Sequence, residues 1–595
     1  VSAALITWGR FFDPAGNKVT VPAPSTNPGA PWLWDFLTSQ ASDLRQWFNA
    51  WQLPPVSKAQ GGAGAGCDGY EVYDLRDIGS KNQQGSIPSR YGSRESLLRA
   101  IATAHANGIE VQLDISMHQI GGDSNGFLQY FGSDGKTKNG RGAITPGELR
   151  GNTSWNPATK AFNDPIPPFS REDAVPVPFY DYPFGRERVF QNCQPPRKSI
   201  NDCVDFGSWL LRSTGARGPH RFDDVKGTWA PFVAEWMNSG EMARQQFYSE
   251  FYASAADAAA WANNYPMSGR SGLEDFDAHY AIQDACNNGN AWALNRGGGF
   301  SWLPDLFWPF VETPDTDTSR SPGDQTPGQQ VVLNKLLGYL YLLTIPCRCA
   351  LVYAKDYFGS NVWPGAYGLK KSLDPMLWSA RRMAFGEMTT QFCDSKAIVL
   401  QRNGQGGVIG NSPGMLSCLN FDTWNRRKLT VPTCFWPGTQ LHDFLGHHED
   451  IVVSSNQTAT FTIPSDAYNA GQSSMCFSWA GIEGSVYELV SRPTTQVFEG
   501  AADLDIGPAP PGVYMPVGRI SCAAGTNLKL SVALPAGAEE ASIWVTDPAG
   551  GTLVSEPATS LSLKIRTSGW YSLSISAVGA VAVPFALTAT YTAPR

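Results

Sequence analysis

Carboxylates and basic groups follow short apolar runs at several places in this chain, where the end of a buried strand would present them. In Leu113-Asp114-Ile115-Ser116-Met117-His118, an Asp and a His close such a run. In His220-Arg221-Phe222-Asp223-Asp224-Val225-Lys226, alternation along a strand puts Arg221 and Asp223 on one face. A guanidinium beside a carboxylate keeps it ionised, the form a nucleophile needs. Two glutamates compete to be its partner: Glu235 in Phe232-Val233-Ala234-Glu235-Trp236, and Glu250 in Phe247-Tyr248-Ser249-Glu250-Phe251. A pair with one carboxyl ionised and the other protonated divides nucleophilic and acid/base work.

The elements that must hold these groups decide between the two. Parallel strands need a crossover, usually a helix, between them. Glu235 comes only 12 residues after Asp223, too few for a strand end, a helix and a new strand. Trp229, Phe232, Val233, Trp236 and Met237 also fall on one helical stripe. Glu235 therefore belongs on a helix and Glu250 ends the next strand.

The same helix-then-strand alternation recurs elsewhere. Leu97, Ile101 and Ala104 repeat at helical spacing behind a Ser93 cap, Asn107-Gly108 ends that helix, and Ile109 to Asp114 follow as a strand. This is parallel α/β architecture, and a (β/α)8 barrel presents its functional groups at the C-terminal strand ends. Residues 119–205, rich in Gly, Pro, Asn and Asp, break the alternation and read as an inserted irregular subdomain, since a structureless loop of that length is improbable in a compact domain. From about Cys393, short strands between turn residues indicate an all-β domain. A second β unit, with sandwich-like strand spacing, follows from about Thr494. The predicted division is a barrel over 1–118 and 206–390, the insert 119–205, a β domain 391–488 and a C-terminal β-sandwich 489–595.

Composition narrows the partners. At 595 residues the chain is too long for one core. With 42% apolar and 16% charged residues it is globular, not disordered. A net charge of -8 argues against a nucleic-acid partner, and no apolar run approaches the ~20 residues that span a bilayer. The start Val1-Ser2-Ala3-Ala4 fits a mature end left by signal-peptide removal, hence a secreted protein. The 11 Cys make no disulfide scaffold; Cys193 and Cys203 are spaced to close a loop, and Cys347-Arg348-Cys349 reads as core. His447-His448 beside Glu449 and Asp450 reads as an exposed turn, not a metal site.

The strand-end blocks resemble those of the α-amylase superfamily, glycoside hydrolase family 13. Residues 114–118 are similar to its D-x-x-x-(N)-H block, and residues 221–226 to R-x-D-x-x-K, the most specific of the set. Gly69-Tyr70-Glu71-Val72-Tyr73-Asp74 and Phe310-Val311-Glu312-Thr313-Pro314-Asp315 resemble two more. The resemblance covers about residues 1–480. It implies a (β/α)8 TIM barrel with inserted domain B, all-β domain C, and retaining chemistry on starch, maltooligosaccharide or a related α-glucan. Asp223 would be the nucleophile, Glu250 the general acid and Asp315 a third carboxylate that grips sugar hydroxyls. Tyr70, Asp114, His118, Arg221 and Lys226 would bind substrate. Asp74 would fix the loop that carries Tyr70, and Asp356 would support the site from another strand end.

Two positions depart from the family. Pro314 stands where a His normally donates to the sugar, and Met117 where many members have an Asn that ligates calcium. A thioether is a poor ligand for calcium, so a structural calcium is doubtful there, and an ion in the insert stays open. The chemistry itself requires no cofactor. A monomer is expected. Hydrolysis and transfer both remain open, and a non-catalytic glycan-binding barrel is the alternative reading. In the sandwich, Trp544, Trp570 and Tyr571 are candidate sugar platforms, against the commoner reading of buried core aromatics.

Overall fold

The computed structural model describes residues 2–12, 18–21, 30–64, 67–120, 197–317, 328–363, 365–404, 414–466, 471–480 and most of 493–592. Between 121 and 196 it describes three two-residue strands and Phe190.

Eight parallel strands form one sheet: β1 (Ala3–Ile6), β2 (Ala50–Leu53), β3 (Glu110–Ile115), β4 (His220–Phe222), β5 (Phe247–Ser249), β6 (Gly272–Asp275), β7 (Phe307–Pro309) and β8 (Ala350–Tyr353). The sheet runs in sequence order from β1 to β7, β8 pairs with β1, and a parallel bridge from Phe310 to Leu351 closes the barrel. Each strand is followed by a helix: α1 (Leu33–Leu44), α2 (Arg94–Ala106), α3 (Lys198–Thr214), α4 (Ala230–Met237), α5 (Ala255–Asn263), α6 (Phe276–Asn288), α7 (Lys335–Thr344) and α8 (Lys370–Met383). This is the expected (β/α)8 fold.

Local chemistry accounts for the boundaries. The Ser93 side chain accepts from the Ser96 amide at 3.2 Å and starts α2, which stops at Asn107 and a left-handed Gly108 (φ 69°). In α4, Phe232, Val233, Trp236 and Met237 are buried, while Glu235 reaches outward to Arg197 at 2.5 Å. The helix assignment of Glu235 is therefore correct. One boundary needs correction. The barrel resumes at Lys198, not near 206, because Phe206 lies inside α3, whose amphipathic face already packs on the core.

Of the insert, Gln119–Ile120 pairs antiparallel with Arg186–Glu187, which brings its two ends together. Most of 119–205, with Cys193, lies outside the described residues.

The first β domain contains a six-stranded sheet, including Ala397–Arg402, Met415–Asn420 and Ser474–Trp479, and a separate pair, Arg427–Pro432 with Thr458–Ile463. Two sheets of four and three strands follow as the C-terminal sandwich. Ala106, at the end of α2, joins the sandwich core beside Leu528, Ile543 and Leu573, so the sandwich docks on the barrel. Tyr571 is 2% exposed in that core, which corrects its candidacy as a sugar platform. Trp544 is half-buried, and the Trp570 side chain lies outside the described residues. His447 and His448 sit in a turn but are partly buried, their amides donating to Asp443 at 2.7 and 3.0 Å. Among the described residues no group of three or more His, Cys, Asp or Glu could hold a metal, and no helix is long and apolar enough to cross a membrane.

The loop after β2 is held by buried charge. Lys58, fully buried, donates to the carbonyls of Ser86, Ile87 and Pro88 at 2.8 to 2.9 Å and pairs with Asp77 at 3.4 Å. Asp74 accepts from Lys81 and Gln83 at 2.8 and 2.9 Å, a structural role as expected. Lys58→Met should leave Asp77 buried without its cation and cost about 3–5 kcal/mol. Urea denaturation checks this, and an unchanged midpoint would show that the pair carries no stability.

Candidate active site

Side chains on alternate positions of neighbouring strands converge at the C-terminal mouth of the barrel. Arg221, on β4, is 5% exposed and bonds four carboxylates from four strand ends. Its Nη1 donates to Asp114 Oδ2 at 2.7 Å and to Asp223 Oδ1 at 2.9 Å. Its Nη2 donates to Glu250 Oε2 at 2.9 Å, and its Nε to Glu274 Oε1 at 2.7 Å. Asp114 also accepts from Tyr70 Oη at 2.7 Å and from Gln52 at 3.2 Å. Past β4 the chain turns at Asp224, a non-glycine residue in the left-handed region (φ 37°). That turn aims the Asp224 amide at Glu250 Oε2, 3.2 Å away.

Above this cluster lies a cavity of about 280 Å³ lined by Tyr70, Gln119, Asp223, Asp224, Glu250, Tyr252, Phe276, Asp315, Thr316 and Gln329. Asp223 and Glu250 thus face the cavity while tied to one guanidinium, and Asp315 stands exposed at its rim.

The electrostatics correct one expectation. Arg221 was expected to keep Asp223 ionised. Burial outweighs the guanidinium, whose single charge is shared, and Asp114, Asp224 and Asp315 add to the rise, so the Asp223 carboxyl is pushed up to about 7. Glu250 is also raised well above its ordinary value, by burial first, against Arg221, and then by the charges of Asp223, Glu274 and Asp315. Four buried carboxyls on one cation cannot all ionise together.

Of the expected site residues, Tyr70, Asp114, Arg221, Asp223 and Glu250 meet in this network, and Asp315 joins the cavity wall. His118 and Lys226 do not line the cavity. The His118 ring is buried 3.6 Å from Asp224, packed so closely on Gly227 that a Cβ there would come within 2.1 Å. Lys226 donates to the Tyr252 carbonyl and lies 5.5 Å over the Tyr252 ring, bracing that side chain. Asp356 bonds Lys335 at 2.5 Å and Tyr339 at 2.6 Å below the loop that carries Asp315.

Sequence reasoning missed Glu274, Tyr252, Gln119, Thr316 and Gln329. Glu274 ends a strand too, but only one apolar residue, Leu273, precedes it. Gln329 has no local signal. It reaches the cavity because buried His279 bonds the Gln329 carbonyl at 3.0 Å and the Val311 carbonyl at 2.8 Å. Burial pushes His279 down to about 4, and a neutral ring donates to one of these two carbonyls at a time.

No family model matches the chain. It is 24% identical to a curated α-amylase of Geobacillus stearothermophilus over 83% of this chain and 95% of that protein. It is 23% identical to the cytoplasmic α-amylase of Escherichia coli (strain K12) over 72% of this chain and 93% of that protein. The crystal structure of a γ-CGTase from alkalophilic Bacillus clarkii aligns with a TM-score of 0.54 at 14% identity, covering 98% of this chain and 95% of that one. Over most of its length the chain is thus similar to α-amylases, and its fold is that of the α-amylase and CGTase structures.

Two positions of this chain's site depart from the pattern it resembles, Met117 and Pro314. Met117 is 1% exposed inside the apolar barrel core, and its thioether side chain offers no oxygen to a calcium ion. Pro314 is buried. The cavity wall carries hydrogen-bonding groups of Asp315, Thr316 and Gln329.

The raised Asp223 carboxyl makes stability depend on pH. Between the ordinary Asp value of 3.8 and about 7, the folded chain holds a proton that the unfolded chain has lost. Stability therefore falls as pH rises through that window. Asp223→Asn should remove this fall and melt a few degrees above the wild type at about pH 8, with no difference at acid pH. Thermal melts at both pH values check it, and a variant melting below the wild type at about pH 8 would contradict the raised value.

Proposed function

We propose that this α-amylase-family enzyme cleaves α-glucosidic bonds of starch, maltooligosaccharides or related α-glucan through a covalent glycosyl intermediate on Asp223. The observation that carries the reading is the pairing of Asp223 and Glu250 on two nitrogens of one buried guanidinium beneath a cavity. In each carboxyl one oxygen is bonded to Arg221, Oδ1 of Asp223 and Oε2 of Glu250. Oδ2 and Oε1 are the oxygens assigned to the substrate.

Asp223 Oδ2 attacks the anomeric carbon while Glu250 gives its proton to the departing glycosidic oxygen, so one C–O bond forms as another breaks. Water or a sugar hydroxyl then attacks the ester, Glu250 takes the incoming proton, and the Asp223 carboxylate is regenerated. Asp223 ionises near neutrality, which suits the nucleophile, and Glu250, held well above its ordinary value by burial, suits the acid. Asp315 at the rim is assigned to sugar hydroxyls, Tyr70 to the ring at the cleavage point. Gln329, whose Nε2 reaches Tyr252 Oη at 3.2 Å, takes the donor role that Pro314 has vacated. The reading includes action outside the cell as a monomer. Immunodetection in culture medium and a single species near 64.5 kDa on size-exclusion chromatography are the expected results.

Incubation with maltopentaose, followed by product chromatography, tests the activity. Shorter products alone indicate water as acceptor, and products longer than the input indicate transfer. Asp223→Asn and Glu250→Gln should each lower kcat about 10⁴-fold or more. Starch binding with no products from the wild type would favour a glycan-binding barrel instead. A bell-shaped kcat/KM profile, with an acid limb near 7 where Asp223 titrates, is also expected. A rate that stays flat well into the acid range would remove Asp223 as the ionising group.

A further inference from the structure

A second concavity opens on the flank of the barrel between α5 and α6. It measures about 600 Å³, against about 280 Å³ for the catalytic cavity, and lies within the size range of ligand sites. Its chemical groups are Asp277, Tyr280 and Asp284 on α6, and Arg296, Ser301 and Trp302 on the segment that leads to β7. Trp302 is 52% exposed, yet its ring is steadied at one edge by Phe307, with centroids 6.1 Å apart. Asp284 is held by Asn288, Asn290 and Arg296 at 2.9, 3.0 and 2.5 Å. The segment is pinned in turn by the amides of Gly299 and Phe300, which donate to buried Asp275 at 3.1 and 2.9 Å. An exposed ring beside fixed carboxylate and guanidinium groups suits a sugar, whose apolar face stacks on the ring while its hydroxyls bond at the edge.

The groove adjoins the catalytic cavity across a pair of tyrosines. Tyr252 lines the cavity, Tyr280 lines the groove, and their hydroxyls are 2.7 Å apart. Asp277, on the same wall, accepts from the Ala255 amide at 2.9 Å and so ties the start of α5 to α6 at this junction.

We propose that the groove binds a further stretch of the same α-glucan chain whose bond lies over Asp223, so that the enzyme engages long chains through sugar rings outside its cavity. This rests on the α-glucan reading of the cavity. A short oligosaccharide ends before Trp302, whereas a polymer passes over it.

The test compares kcat/KM on amylose with that on maltotetraose for the wild type, Trp302→Ala and Trp302→Tyr. Trp302→Ala should lower the amylose-to-maltotetraose ratio about fivefold through KM on amylose, and Trp302→Tyr, which keeps an aromatic face, should restore most of it. An unchanged ratio in Trp302→Ala overturns the proposal. If Trp302→Ala does not fold, Arg296→Ala, on an exposed side chain of the same groove, takes its place under the same two outcomes. If the wild type cleaves neither substrate, the catalytic reading has failed, and retardation in amylose-containing native gels decides the groove separately. Retardation lost in Trp302→Ala upholds the groove, and migration equal to that of the wild type ends it.

Discussion

Arg221 is the constraint on which the rest of the site depends. Its guanidinium is planar, and three of its nitrogens point in fixed directions at carboxylates from β3, β4, β5 and β6. A lysine ammonium, a point charge on a flexible stem, would not hold four strand ends in one register. One positive charge set against four buried carboxyls leaves the cluster short of cation. The shortage is met by proton uptake, and which carboxyl keeps its proton is decided by burial and neighbours. The guanidinium therefore both positions the proposed nucleophile and acid and sets the protonation state in which they meet substrate.

The loops above it are held by further buried ions. Lys335 bonds Asp356 at 2.5 Å and pairs with Glu312 at 3.3 Å. Glu312 in turn accepts from Thr316 and from the Val331 amide at 2.7 and 2.8 Å. Lys355 pairs with Asp317 at 2.8 Å. These contacts bracket Asp315 on both sides. Burial pushes Glu312 up to about 8, against the pull of Lys335, so the cluster adds little net stability. What it contributes is a single loop geometry, because any rearrangement would strand a buried charge. Lys58 and Asp77 do the same for the loop that carries Tyr70, on the opposite side of the mouth.

The two β domains play different parts in this arrangement. The first packs beside the barrel through residues such as Thr344, whose hydroxyl is 2.8 Å from that of Ser417. The sandwich takes Ala106 into its own core and covers α1 and α2. Both contacts lie on the helical shell and leave the strand ends open to solvent, which is where the cavity and the flank groove are found.

Much of the fold was legible in the sequence because its signals are local. A Ser93 cap, a terminating Gly108 and a stripe of Phe232, Val233 and Trp236 report on a few neighbouring residues, and alternating helices and strands leave a parallel barrel as the economical closure. Period-2 alternation likewise put Arg221 and Asp223 on one face, and chain length ruled Glu235 off the next strand end. What the sequence could not contain is how many partners share one charge. Whether Arg221 keeps Asp223 ionised depends on Asp114, Glu250 and Glu274, which arrive from separate strands, and on the loss of water when the barrel closes. The same holds for Gln329, tied at the cavity by a histidine on α6, and for Tyr280 and Trp302, which share a groove across the chain. Covalent neighbours set the elements. Desolvation and long-range convergence, which exist only in the folded chain, set the chemistry at their ends.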